Sequence, residues 1–345
     1  MTQTLKRIGF ACKWIDGPSQ IDGIKQTDTA RQYNTGSTTV SWLNRQTREV
    51  AEQKLWDLMA GNIEAVRKLV EKVGGLDEHL RMVRLGSDIL PVYTHADWNY
   101  FWRRTDVIRY CEQHFAEVGR IAREANVRLS FHPGQFVVLA SDNPGIVERS
   151  IEEFEYHADM ARWMGFGRRF QDYKINVHIS GRQGPEGIRR AYKRLSPEAR
   201  NCITIENEEN AWGLNDCISI SDIVPIVLDI HHNWIREGEY IQPGDDRVKR
   251  VVDSWRGVRP TLHYSVSRED VLVGHDTNTA PDHKALLEAG FRKQKMRAHS
   301  NFYWNKPVNE WALGFLNTHD IMCESKGKNL ASFALAEQAK ALTLL

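Results

Sequence analysis

The sequence predicts an α/β fold, a (β/α)8 TIM barrel with long loop insertions on its C-terminal rim, from three observations. Eight short strand-like runs recur along the chain, and longer stretches with helical spacing lie between them. Ionisable side chains gather at the C-terminal ends of those runs, where barrels build their sites. No G-x-G-x-x-G follows the first run, Ile8-Gly9-Phe10-Ala11-Cys12-Lys13, so a doubly wound dinucleotide fold lacks its phosphate loop. With 345 residues, the chain can hold one barrel of ~250 residues plus insertions. Residues 1–345 therefore read as a single domain.

The elements follow in order. A strand is expected over Arg7–Phe10, then a polar loop over 16–42 rich in Gly, Thr and Ser. Leu55, Met59, Ile63, Val66 and Val70 recur three or four apart and predict the first long helix. Leu80–Leu85 is the second strand, and Val107, Cys111, Phe115, Val118 and Ala122 mark the next helix. In the third strand, Val127, Leu129 and Phe131 alternate with polar residues; Ile151, Phe154, Ala158 and Ala161 follow at helical spacing. Strands over Lys174–Ile179, Cys202–Glu206, Pro225–Ile230, Thr261–Ser265 and Asp320–Glu324 complete the set. The intervening helices are a stripe of Ile188, Ala191 and Leu195, then weaker patterns at 216–223, 246–256 and 308–317, with a last helix at 330–342. Residues 266–298 form a second insertion, carrying Arg292, Lys293, Lys295 and Arg297.

Composition excludes several classes. Lys+Arg at 46 against Asp+Glu at 45 leaves +1, so any nucleic-acid surface must be a local patch. No apolar run approaches the ~20 residues that span a bilayer, and Met1–Arg7 has no apolar signal core; no membrane association and a cytoplasmic setting are expected. Five Cys without a C-x-x-C pair argue against a disulfide framework and a thiolate zinc site.

The chemistry sits at the strand ends. His132 ends strand three, His178 lies near the end of strand four, and Glu206 ends strand five. Asp229 and His232 lie at the end of strand six, His263 on strand seven, His299 in the loop after it, and Glu324 ends strand eight. Such a set is costly as bare ionisable groups and makes sense as ligands for divalent cations, with zinc, manganese and iron all suited to it. His231, His275 and His283 read as structural neighbours, and Cys323 should point away from Glu324 into packing.

These motifs resemble the UV-damage endonuclease family, whose barrel is related to that of endonuclease IV. The resemblance rests on Arg7-Ile8-Gly9-Phe10, Arg84-Leu85-Gly86-Ser87-Asp88, Ser130-Phe131-His132-Pro133-Gly134-Gln135-Phe136, Asn176-Val177-His178-Ile179-Ser180-Gly181, Ile205-Glu206-Asn207, Asp229-Ile230-His231-His232, His299-Ser300 and Asp320-Ile321-Met322-Cys323-Glu324. It implies incision of double-stranded DNA 5′ to cyclobutane dimers and 6-4 photoproducts, and at abasic sites, leaving 3′-hydroxyl and 5′-phosphate ends. By the same resemblance, His132, His178 and Glu206 would hold one ion, and Glu206 would bridge to a second held by Asp229, His263 and Glu324. His232 and His299 would serve a third. Two or three divalent ions per chain are expected, manganese first, with zinc or iron as rivals. Glu206, Asp229 and Glu324 are the implied catalytic carboxylates.

Gln135 and Phe136 match the family's probe residues, and Phe10 stands where relatives carry a Tyr thought to contact damaged bases. Thr261 departs from the pattern: relatives have a Lys there that can be carboxylated, so the third site is expected to stay weak until a substrate phosphate brings charge. Arg103, Arg104, Arg182, Lys326 and Lys328 are candidates for phosphate contacts. With no ATP-binding loop, incision should need no nucleotide cofactor, and a monomer is expected. A sugar isomerase of the xylose-isomerase type and a non-catalytic damage binder are the rival readings.

Overall fold

The computed structural model describes residues 5–23 and 27–345; Met1–Thr4, and residues 24–26 of the first rim loop, lie outside the described residues. Eight strands form one sheet: β1 Ile8–Ala11, β2 Met82–Arg84, β3 Arg128–Phe131, β4 Lys174–His178, β5 Ile203–Glu206, β6 Ile226–Val227, β7 Thr261–Tyr264 and β8 Asp320–Cys323. The order is β6-β5-β4-β3-β2-β1-β8-β7, with every neighbouring pair parallel. β6 and β7 meet through a bridge between Asp229 and His263, where the His263 N–H donates to the Leu228 carbonyl at 3.0 Å. Two residues of the predicted site thus close the barrel.

Helices Arg48–Gly74, Thr105–Glu124 and Pro144–Trp163 cover the first half of the sheet. The stripes read from spacing are the faces they bury: Leu55, Met59, Ile63, Val66 and Val70 on the first, Val107, Cys111, Phe115, Val118 and Ala122 on the second. Thr47 caps the first helix by accepting from the Val50 N–H, and Asn143 caps the third ahead of Pro144. At Gly119 a Cβ would lie 1.8 Å from the Met164 carbonyl oxygen. Only glycine permits that approach of helix to helix. Among the described residues, no helix is long and apolar enough to cross a membrane.

Three expectations need correction. The apolar run Pro225–Ile230 is not all strand, because β6 stops at Val227 and Asp229 starts a helix, Ile230–Glu237, by accepting from the His232 N–H at 2.7 Å. Cys202 ends a short helix, Pro197–Cys202, rather than starting β5, since Ser196 and Pro197 supply a cap and a first turn. The rim insertions are not plain loops either. Asp28–Arg31 and Val40–Leu43 are single turns capped by Thr27 and Thr39, and His283–Glu288 and Lys293–Met296 sit in the second insertion.

Side-chain alternation divides each strand between the barrel axis and the helix layer. Lys174, Asn176 and His178 share the inward parity of β4, as do Asp320, Met322 and Glu324 of β8. Gly9 pairs with inward Met322, so Phe10, paired with Cys323, faces outward.

Candidate metal centre

Glu206 ends β5 fully buried at the middle of the rim. His132 Nε2 lies 3.2 Å from its Oε2, His178 Nε2 3.5 Å and His263 Nδ1 3.1 Å, while His232 Nδ1 is 3.6 Å from Oε1. Asn176 donates to Oε2 from β4. His263 Nδ1 is also 3.2 Å from Glu324 Oε1, and His232 Nδ1 3.5 Å from Asp229 Oδ2. Ligand-capable atoms of Glu206, Asp229, His263 and Glu324 all lie within 4.8 Å of one another, as do those of His132, Glu206 and His263.

Local structure explains each position. Asp229 spends Oδ1 on the helix cap, which leaves Oδ2 facing the site. His232 lies in the first turn of that helix, and its Nδ1 is 3.0 Å from the Asn207 carbonyl. His299 is held by a bridge to Ser267, with Nδ1 3.0 Å from the Glu324 carbonyl. A carbonyl only accepts, so both rings carry their proton on Nδ1 and turn Nε2 elsewhere.

Against burial, the surrounding imidazoles hold Glu206, and His263 with Arg84 holds Glu324, well below the usual carboxylate range, which leaves Asp229 as the carboxylate short of positive charge. Burial pushes Asp229 well above the usual carboxylate range, and the charges of Glu206 and Glu324 add to it against His232. Burial would lower His232, yet Asp229, Glu206, Glu209 and Glu324 together raise it to about 9. Burial takes His263 down to about 4, so that ring is neutral at pH 7. Lys174 Nζ approaches His263 Nε2 at 3.0 Å from below, and burial together with Arg84 and Arg128 lowers that amine to about 7.

Glu206 Oε1, Asp229 Oδ2 and His263 Nδ1 are buried, and among the described residues no group hydrogen-bonds to them. The 3.1 Å and 3.2 Å contacts of His263 Nδ1 with Glu206 and Glu324 are close approaches and not hydrogen bonds. Buried polar atoms left this way cost several kcal/mol (about 1–3 each by mutational scales). Oxygen and imidazole donors converging like this fit manganese, zinc or iron, so the residues present suit divalent cations. Above them opens a cavity of about 810 Å³ lined by His132, His178, His232 and His299, and by Arg268, Lys295 and Arg297.

Residues 6–343 match the UV-endonuclease UvdE family. The chain belongs to that family. A UV-damage endonuclease of Schizosaccharomyces pombe is 24% identical over 345 residues, with 96% of this chain and 50% of that protein aligned. A UV DNA damage endonuclease of Bacillus cereus (strain G9842) is 26% identical over 307 residues, covering 86% of each. This chain therefore spans about half the length of the fission yeast relative. Among solved structures, SacUVDE superposes with a TM-score of 0.70 at 21% identity, covering 99% of this chain and 100% of that one. That likeness shows that the UvdE barrel is the fold here.

The structure gathers all eight metal-ligand candidates at one end of the barrel, though His178, His232 and His299 stand outside the tightest groups. Phe10 must be corrected. Its ring is fully buried against Trp14, 5.8 Å between centroids, because it has the outward parity of β1 and lies in the helix layer. Gln135 and Phe136 instead sit exposed on the loop after β3, with Phe136 66% exposed. None of Arg103, Arg104, Arg182, Lys326 and Lys328 lines the cavity; Arg104 is engaged by Glu52 and Asp106. His231 stacks on Trp234, and His283 binds the Ile235 carbonyl, as structural residues do.

Sequence reasoning missed Arg84, ion-paired to Glu324, as well as Lys174 and Glu209. Arg84 stood in a quoted motif. Glu209 lay three residues past Glu206 with nothing to mark it.

Proposed function

We propose that this chain incises UV-damaged double-stranded DNA by metal-dependent hydrolysis of the phosphodiester 5′ to a cyclobutane dimer or 6-4 photoproduct, and at abasic sites. The observation that carries the reading is the convergence of Glu206, Asp229, His263 and Glu324, with buried atoms of three of them left without hydrogen bonds. The names of the relatives, UV-damage endonuclease and UV DNA damage endonuclease, support the substrate class.

In this reading His132, His178 and Glu206 hold one cation, and Glu206 with Asp229, His263 and Glu324 a second. His232 and His299 face a third. Manganese is the first choice, with zinc or iron as rivals. Bound there, divalent cations supply an acidified water as nucleophile and positive charge for the departing oxygen. The water oxygen bonds to phosphorus, the bond to O3′ breaks, and a proton ends on O3′, giving a 3′-hydroxyl and a 5′-phosphate.

The chain's own residues position the strand. Arg268, Lys295 and Arg297 line the cavity and supply the charge a phosphate backbone needs. Gln135 and Phe136, exposed beside it, enter the duplex where a lesion has weakened stacking. Extruding a damaged dinucleotide costs less than extruding intact bases, by about a few kcal/mol. The enzyme acts without ATP, as a monomer in the cytoplasm. Supercoiled plasmid, UV-irradiated or not, is the test: nicking should require both irradiation and added manganese. Equal nicking of the two plasmids would remove the damage reading, and nicking unaffected by chelator would remove the metal reading.

A further inference from the structure

Glu209 lies in the loop after β5 with its side chain 10% exposed, at the wall of the cavity. Its Oε2 is 3.7 Å from His232 Nε2, while its Oε1 accepts from Arg297 Nη1 at 2.6 Å. Two ligand atoms each about 2.1 Å from one cation sit roughly 3–3.5 Å apart. The Glu209 and His232 atoms are near that spacing. His232 has its Nδ1–H committed to the Asn207 carbonyl, so Nε2, on the Glu209 side, is the nitrogen a cation would take in exchange for a proton. His299, fixed in the same tautomer by the Glu324 carbonyl, lines the same cavity.

The geometry points to Glu209 as the carboxylate ligand of a third divalent-cation site, shared with His232 Nε2, in the cavity that His299 also lines. The inference rests on the metal reading of the rim and adds to it a residue outside the family motifs. Thr261 brings no charge to this side of the rim, and two neutral imidazoles alone offer nothing against repulsion from neighbouring cations. Glu209 provides that charge from a different strand end. Arg297 engages Oε1 only, from the exposed side, and leaves Oε2 to the site. Four carboxylates against three divalent ions still leave the rim cationic toward phosphate. The third ion is then held by the DNA-free protein, in place of the weak site expected from His232 and His299 alone.

Equilibrium dialysis of the full chain against Mn²⁺, read by metal analysis, tests this without any activity measurement. The unmodified chain should saturate near three Mn²⁺, Glu209→Gln near two, and Arg297→Met near three. Glu209→Asp, which draws the charge back by one methylene, should bind the last ion at least tenfold more weakly and serves if the Gln variant fails to fold. Equal stoichiometry in Glu209→Gln, or unchanged affinity in Glu209→Asp, overturns the assignment. Loss of the same ion in Arg297→Met overturns it too, since the ion pair would then be what the site needs. Glu206→Gln, dialysed alongside, separates the two readings. If it loses metal while Glu209→Gln does not, only this inference fails; if neither does, the metal reading itself fails.

Discussion

The two ends of this barrel hold buried carboxylates in opposite ways, and one strand carries both. At the N-terminal end of β8, Asp320 is fully buried with each oxygen engaged by arginine. Arg128 donates to Oδ2 at 2.7 Å, while Arg259 and the Arg7 N–H donate to Oδ1 at 2.7 and 2.9 Å. The arginines are tied in turn: Arg128 to the Arg259 carbonyl, and Arg259 to the Leu316 and His319 carbonyls. Four residues on, Glu324 meets one arginine, Arg84, and then only imidazoles. Around it Glu206 Oε1 and Asp229 Oδ2 accept no hydrogen bond from any described residue. The lower end supplies its own cations in the sequence, which makes it a lock. The upper end is built of acceptors that a lock would not leave open, which makes it a receptacle.

Variants at each end should therefore fail differently, and four experiments sharpen the contrast. The largest effect belongs to Glu206→Gln. Incision of irradiated DNA should fall by orders of magnitude, while urea unfolding of the metal-stripped protein shows a smaller loss of stability than Asp320→Asn, because neutral imidazoles around Glu206 can do without its charge where the arginines around Asp320 cannot. A large loss of stability would make Glu206 a structural residue like Asp320. Next comes Asp320→Asn, which leaves the guanidinium groups of Arg128, Arg259 and Arg7, the last 3.8 Å from Oδ2, around a neutral amide; stability should drop by about 3–5 kcal/mol. Metal content of the folded fraction should not change, and a matching loss of metal would show the two ends to be coupled.

Replacing both Gln135 and Phe136 with Ala touches neither end's ionic structure. Binding to photoproduct DNA should weaken by about 1–3 kcal/mol per lost stacking contact, with metal content unchanged. Unaltered preference for damaged over intact duplex would make them ordinary loop residues. The smallest effect is a pH slope at the lower end. Burial, with Arg259 and Arg128 nearby, lowers His319 to about 3, so the unfolded chain binds the extra proton. Its contribution to stability is complete above about pH 6.5 and shrinks as pH falls toward the folded value, by up to about 1.4 kcal/mol per pH unit. His319→Gln should flatten the urea-derived stability profile between pH 6 and 4. An unchanged slope would mean that His319 is not the group being protonated.

The upper end was more legible in the sequence than the lower. Eight apolar or alternating runs located the strands, because β-strand periodicity is local. The ligand candidates could be placed because each falls at or just beyond such a run. The buried ionic roles of Asp320 and Lys174 are not legible in the sequence, since their partners lie on strands far away in sequence and only barrel closure brings them together. Phe10 shows the limit of motif matching. Its position in the motif suggested a base contact, but its parity on β1 sends it outward with Cys323. The helix Ile230–Glu237 hid inside an apolar run because Ile226 to Ile230 reads equally as strand, and Asp229 ends one element while capping the next. Glu209 lies in an acidic loop where neither spacing nor hydropathy distinguishes a ligand from a solvated charge.

The most direct test of the central claim, that the open upper end is a cation-loaded nuclease centre, uses a duplex carrying one cyclobutane dimer and a labelled 5′ end. Protein stripped with EDTA should leave it intact, and Mn²⁺ added back should yield a single cut immediately 5′ to the dimer. The labelled fragment should end in a 3′-hydroxyl that a polymerase can extend. Cutting by the stripped protein at the same rate, or no cutting after Mn²⁺ is restored to folded protein, would contradict the account.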